Sequence, residues 1–197
     1  MDRRIDRIEK LAVTDTCAVW NLLSSTLLYS TCTSKGFVFA LTSFVVYECL
    51  HRRRKTRTPA SDELRRRLME ARARAEFNSV SISVDDLQEV IALNPKRKLR
   101  SMGELSALVF AKRVGLAFQT DDQGARRLAA QTLPLERVQT TPHVLAWLFF
   151  EGHLLDGDLA TIVEEHERLE RPLRPHFENL HAEAVRCRSL AGLDGNG

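Results

Sequence analysis

The sequence predicts an α/β protein built on a central parallel sheet. Two patterns carry this expectation. Short apolar runs recur at residues 11–15, 37–41, 80–84, 116–120 and 138–140, at the length of strands. Stretches with apolar residues at helical spacing lie between successive runs, and alternating strands and helices pair their strands in parallel.

The elements follow in chain order. Leu11-Ala-Val-Thr-Asp15 reads as a buried strand ending in an acid. A helix is predicted over 16–29, on the spacing of Val19, Leu22, Leu23 and Leu27. Phe37-Val-Phe-Ala-Leu41 is the second strand, entered from Lys35-Gly36. Thr42 or Ser43 then caps a helix carrying Val45, Val46, Glu48, Cys49 and Leu50. Residues 51–79 read as an Arg-rich arm inserted on the surface. Thr58-Pro59 and Ser61-Asp-Glu63 are helix-start signals, and the helix over 64–77 has one narrow apolar stripe of Leu64, Leu68, Ala71 and Ala75.

Val80-Ser-Ile-Ser-Val84 alternates as a strand does, and Asp85-Asp86 opens a helix that ends near Asn94-Pro95. Ser101-Met-Gly-Glu104 opens a strong helix closed by Gly115. Leu116-Ala-Phe-Gln-Thr120 is a strand leading into Asp121-Asp122, followed by a helix over 123–130. A last strand at 138–140 leads to a helix from Pro142 to Phe150, and helices fill 156–190. The organisation predicted is one domain over 1–155, with the insertion at 51–79, and a C-terminal helical extension over 156–197.

Composition narrows the class. Hydrophobic residues are 44% of the 197, enough for a real core. The apolar stretch Phe37–Leu50 is broken by Thr42, Ser43 and Glu48 and is shorter than the roughly 20 residues of a membrane span. The N-terminus is charged rather than apolar, so the reading is a cytoplasmic protein without a membrane partner. Cys17, Cys32, Cys49 and Cys187 fit no zinc spacing and read as free thiols. Net charge is +3, unevenly spread: residues 51–100 hold fourteen Lys/Arg against seven Asp/Glu, and residues 151–197 five against ten. A basic middle suits a polyanion. Arg52, Arg53, Arg54, Arg65, Arg66, Arg67, Lys96, Arg97 and Lys98 are the candidate phosphate contacts. No aromatic residue is interleaved with these charges, so the sequence lends base stacking on the patch no support.

The chemistry rests on acids. Asp15 ends the first strand, Glu48 lies on the helix after the second, Glu104 sits in a first helical turn, and Asp121 and Asp122 follow a late strand. In a parallel sheet, strand C-termini and helix N-termini share one edge, where ligands bind. Carboxylates gathered there repel one another unless a hard cation neutralises them. Mg²⁺ or Mn²⁺ takes oxygen ligands and keeps waters, which suits phosphate-ester hydrolysis. Each acid also has a plain structural role open to it, as helix cap, dipole partner or solvated surface residue.

Four segments in order resemble the PIN-domain nuclease family, in its toxin-like branch. They are Val13-Thr-Asp-Thr-Cys-Ala-Val-Trp-Asn-Leu-Leu23, Ser43-Phe-Val-Val-Tyr-Glu-Cys-Leu50, Gly103-Glu-Leu-Ser-Ala-Leu-Val-Phe-Ala111 and the run from Gly115 through Thr120-Asp-Asp122 to Ala129. The resemblance spans roughly residues 10–150 and implies a PIN-like three-layer fold and Mg²⁺- or Mn²⁺-dependent endoribonuclease activity. It implies Asp15, Glu48, Glu104 and Asp122 as catalytic acids, with Asp15, Glu104, Asp121 and Asp122 at the metal, and Thr16 orienting the first acid or a metal-bound water. It further implies an RNA substrate, a role as the toxin of a toxin–antitoxin pair, and an antitoxin or other protein partner. Cys17 departs from the polar residue common at its place, and the arm and the tail after 155 make the chain longer than compact toxins.

The alternative is a PIN-like module that binds nucleic acid or protein without cutting; acids at all four places favour catalysis. A receiver-type domain would need a lysine at the end of a late strand, and Val138–Thr141 has none. Neither GxGxxG nor a Walker loop is present. The helix Val144–Phe150, with Trp147, reads as core or as the face of a homodimer.

Overall fold

A computed structural model describes residues 5–53, 56–93 and 101–194. The chain forms a five-stranded, wholly parallel sheet of order β3-β2-β1-β4-β5. The strands are β1 (Leu11–Thr14), β2 (Val38–Thr42), β3 (Phe77–Val80), β4 (Ala117–Gln119) and β5 (Val138–Gln139). Central β1 and β4 are buried along almost their whole length, as a sheet covered on both faces requires.

The helices are α1 (Thr16–Ser24), α2 (Thr26–Ser34), α3 (Ser43–Val46), α4 (Pro59–Ala73), α5 (Val84–Leu93), α6 (Met102–Val114), α7 (Gln123–Thr132), α8 (Thr141–Phe150), α9 (Asp158–Arg168) and α10 (Arg174–Asp194). On one face α6 packs across β1, β2 and β4 and is joined by α3, α5 and α7. On the other, α1 packs with α4, α8 and α9, and α10 lies along α8. No helix among the described residues is long and apolar enough to cross a membrane.

The strand predicted over 80–84 lies at Phe77–Val80 instead. Phe77 is buried, pairs with Phe39 in register, and stacks on Tyr29 and Phe39 at centroid distances of 5.7 and 5.5 Å. Ser83 and Asp86 form reciprocal side chain–backbone hydrogen bonds of 2.7 and 3.1 Å, a capping box that starts α5 at Val84. The period-2 pattern of Val80–Val84 therefore straddles a strand end and a helix cap.

The single helix predicted over 16–29 is two. Ser25 is extended (φ −113°, ψ 122°), and its hydroxyl accepts from the Leu28 N–H at 3.0 Å to start α2. The helix predicted after β2 is α3 followed by one π-helical turn, Tyr47–His51, closed by the Arg52 N–H to the Tyr47 carbonyl at 2.8 Å.

The helix predicted over 64–77 begins earlier, at Pro59, where Thr58 and Ser61 form a capping box. It ends at Ala73, and Ala75 turns the chain with φ 55°. Its stripe of Leu64, Leu68 and Ala71 is buried in the main core. α4 is thus the crossover that carries the chain from β2 to β3. The C-terminal helices share the same core through Ile162, Val163, Phe177 and Ala184. Val144 to Phe149 are buried within the chain, with Trp147 edge-on to Phe37 at 5.5 Å.

Candidate active site

In this sheet the order of connection reverses between β1 and β4, which places a crevice beyond their carboxyl ends. Asp15 directly follows β1, and Asp121 and Asp122 follow β4 after Thr120, so they flank that crevice. The Asp15 N–H is tied to the Gln119 carbonyl at 3.0 Å, locking the two strand ends together.

Asp15 is the N-cap of α1. One carboxylate oxygen accepts from the Ala18 N–H at 2.8 Å, and the other accepts from the Thr120 hydroxyl. The residue is 2% exposed. Burial pushes its pKa up to about 7, and the negative charges of Asp121 and Glu104 add to the shift against the two hydrogen bonds.

Asp121 is held from two sides. The Asn21 amide donates at 2.8 Å, and Thr141 donates through its N–H at 2.8 Å and its hydroxyl at 2.6 Å. Its pKa is raised by burial despite these donors and the nearby charge of Arg126. Asp122 is exposed and caps α7 by accepting from the Ala125 N–H at 2.8 Å.

Glu48 connects the other half. The Thr16 hydroxyl donates to Oε2 at 2.8 Å and the Gly103 N–H donates to Oε1 at 3.0 Å. Thr16 is the neighbour of Asp15, and Gly103 is the neighbour of Glu104. The π-turn inserts one extra residue into its helical turn, a device frequent at functional sites. A Cβ on Gly103 would lie 2.5 Å from Glu48 Oε2 and 3.1 Å from Thr16 Oγ1, so glycine is what admits the glutamate. Ser106 reinforces this end, donating to the Gly103 carbonyl at 2.9 Å and meeting the Thr42 hydroxyl at 2.7 Å.

Cys17 lies beside these acids. Burial, with the charges of Asp15, Asp121 and Asp122, pushes its thiol up to about 12, while Arg171 from the turn after α9 acts in the opposite sense. The thiol is therefore neutral at ordinary pH.

The structure thus brings Asp15, Glu48, Glu104, Asp121, Asp122 and Thr16 to one sheet edge. Among the described residues, no group of three or more His, Cys, Asp or Glu side chains is set to hold a metal ion. The oxygens of Asp15, Glu48 and Asp121 are turned to protein donors. The donor set still suits a hard dication: it is all carboxylate oxygen, each with two lone-pair directions, and Asp15 carries a charge that burial, and to a lesser degree Asp121 and Glu104, disfavours and a cation would stabilise.

Asn21, Thr120 and Thr141 were not among the candidates from sequence. Their signal is a polar side chain where its neighbours are core: all three are at most 4% exposed.

The basic candidates divide. Arg66 is ion-paired with Glu63 and Glu70. Arg67 bonds Glu63 and reaches the Leu23 carbonyl at 2.9 Å, and Arg65 reaches the Leu50 carbonyl at 2.6 Å. Arg52 and Arg53 are exposed, and Arg54, Lys96, Arg97 and Lys98 lie outside the described residues.

No family model, curated protein or solved structure matches the chain.

Proposed function

We propose that this chain is a PIN-type, Mg²⁺- or Mn²⁺-dependent endoribonuclease whose centre is the crevice between β1 and β4. One observation carries the reading. Glu48 is held at once by the neighbours of Asp15 and of Glu104, while Asp15 shares its field with Glu104 and Asp121. These acids come from four separate elements, and a cation that offsets their mutual repulsion is the occupant their chemistry suits.

Asp15, Glu104, Asp121 and Asp122 are the residues that would hold the cation. Bound there, it would supply an activated water and charge neutralisation at the phosphate. The chain's own residues set the geometry. Thr120 and the Ala18 N–H orient Asp15, Asn21 and Thr141 orient Asp121, and Thr16 with Gly103 orients Glu48. Arg126 and Arg171 offset part of the negative field from opposite sides of the sequence.

The second reading, an interaction module that does not cut, is favoured by the protein hydrogen bonds that already engage Asp15, Glu48 and Asp121. The two are separated by incubating single-stranded and structured RNA with the protein in Mg²⁺, Mn²⁺ or EDTA, beside Asp15→Asn and Glu104→Gln. Metal-dependent cutting that both variants lose is expected. Cutting retained in both removes the metal-centre assignment, and no cutting by the wild type with RNA still bound supports the module.

A further inference from the structure

We propose that the π-turn carries a stacking platform for one unpaired nucleotide of a single-stranded RNA, formed by Tyr47 and His51 beside the groove between the turn and α4. This rests on the reading of the acid crevice as an RNA site.

Tyr47 is 55% exposed, and its ring stacks on that of exposed His51 at 6.4 Å and 28°. A tyrosine this exposed leaves a ring face for a planar partner, and His51 orders it from behind. The two lie one residue before and three residues after Glu48, on the same five-residue turn. Tyr47 thus sits on the turn that presents Glu48 to the acid crevice, which puts a base resting on it on the element shared with that site.

The adjoining groove has the matching chemistry. It is a shallow, open groove of about 590 Å³ lined by Leu50, His51, Arg65, Met69, Arg72 and Ala73. Its floor is apolar, with Met69 60% exposed. Arg65 and Arg72 are anchored on neutral oxygens, the Leu50 carbonyl at 2.6 Å and the Ser79 hydroxyl at 3.0 Å. Their guanidinium groups are ordered while the bonds that order them leave the charge in place, unlike Arg66 between its two glutamates. Arg52 and Arg53 stand exposed directly after the turn. An aromatic face, an apolar floor and ordered cations fit an unstacked base and its phosphates, whereas a base inside a duplex is stacked on both faces.

The test is binding in EDTA, where no metal-dependent cutting occurs. The probes are a labelled single-stranded RNA dodecamer carrying one 2-aminopurine and a blunt RNA duplex of equal length. Tyr47→Ala is expected to weaken single-strand binding about five- to a hundredfold and to abolish the 2-aminopurine quenching that accompanies it. Tyr47→Trp should restore both, and duplex affinity should be the same in all three proteins. Unchanged affinity and quenching in Tyr47→Ala, an equal loss on duplex, or no single-strand binding by the wild type overturns the platform and leaves the groove to a protein partner. A wild type that binds with quenching but never cuts in metal fails only the nuclease reading. One that cuts while Tyr47→Ala binds and cuts equally fails only the platform.

Discussion

The Gly103 N–H donates to Glu48 at 3.0 Å across 55 residues of sequence, and the space of the missing Cβ is filled by the same carboxylate. Gly103→Ala pushes that carboxylate out. Alanine raises helix propensity by up to about 1 kcal/mol, while each broken hydrogen bond costs about 0.5–1.5 kcal/mol. With the two bonds to Glu48 lost, Gly103→Ala should stay folded and lose no more than about 3 kcal/mol, while RNA cleavage falls at least about tenfold. A full loss of fold in circular dichroism, or full activity, contradicts this account.

Asp15 makes the metal-free protein pH-sensitive. Its folded pKa, about 7, lies above the ordinary 3.8. The folded state therefore holds a proton that the unfolded state releases between these values. Stability from this group is complete below pH 4, falls as pH rises toward 7, and stays low above it. Asp15→Asn removes the titration: in EDTA it should be the more stable protein at pH 8, by up to about 4 kcal/mol. That advantage should vanish at pH 4. Mg²⁺ should raise the wild-type melting temperature at pH 8 and leave that of Asp15→Asn unmoved. Parallel stability–pH curves for the two proteins would contradict the burial of this charge.

Asn21 supplies a donor to a half-buried carboxylate. Asn21→Leu leaves Asp121 with Thr141 alone and should cost about 1 kcal/mol at pH 8, the net worth of a hydrogen bond at a partly buried group. The pKa of Asp121 is already raised, so removing a donor raises it further, and the cost should shrink as pH falls and the carboxyl protonates. Urea titrations at pH 8 and pH 5 read this; equal losses at both contradict it.

The arginines of α4 should separate by role. Arg67→Ala removes a bond to the Leu23 carbonyl and an ion pair with Glu63 and should cost about 1–2 kcal/mol of stability. Arg66→Ala, on an exposed ion pair, should leave the urea midpoint unchanged. By contrast, Arg52→Ala with Arg53→Ala should leave stability unchanged and flatten the log–log salt dependence of single-strand binding by about 0.7 for each phosphate that is no longer neutralised. An unchanged slope excludes these two from the interface.

Residues themselves explain how far the sequence alone reached. Four of the five apolar runs mark strands, and with the helices between them they specify a parallel α/β sheet, because hydrophobic period and cap chemistry are local. Asp15 and Asp122 were legible for the same reason: each caps the helix after its strand, and strand ends share one edge. Ser25, the Ser83–Asp86 box and the Tyr47–His51 turn were not, because a break or a π-turn is chosen by packing that periodicity does not record. Phe77 joins the sheet because Tyr29 and Phe39 wait for its ring. The arm became a crossover because Leu64, Leu68 and Ala71 find the core. Above all, hydrogen bonds across 32, 55 and 100 residues, from Thr16 and Gly103 to Glu48 and from Asn21 to Asp121, are made by the fold. Local sequence determined which acids end which elements. Only tertiary structure decided which neighbours hold them, since a hydrogen bond depends on distance in space and carries no trace of separation along the chain.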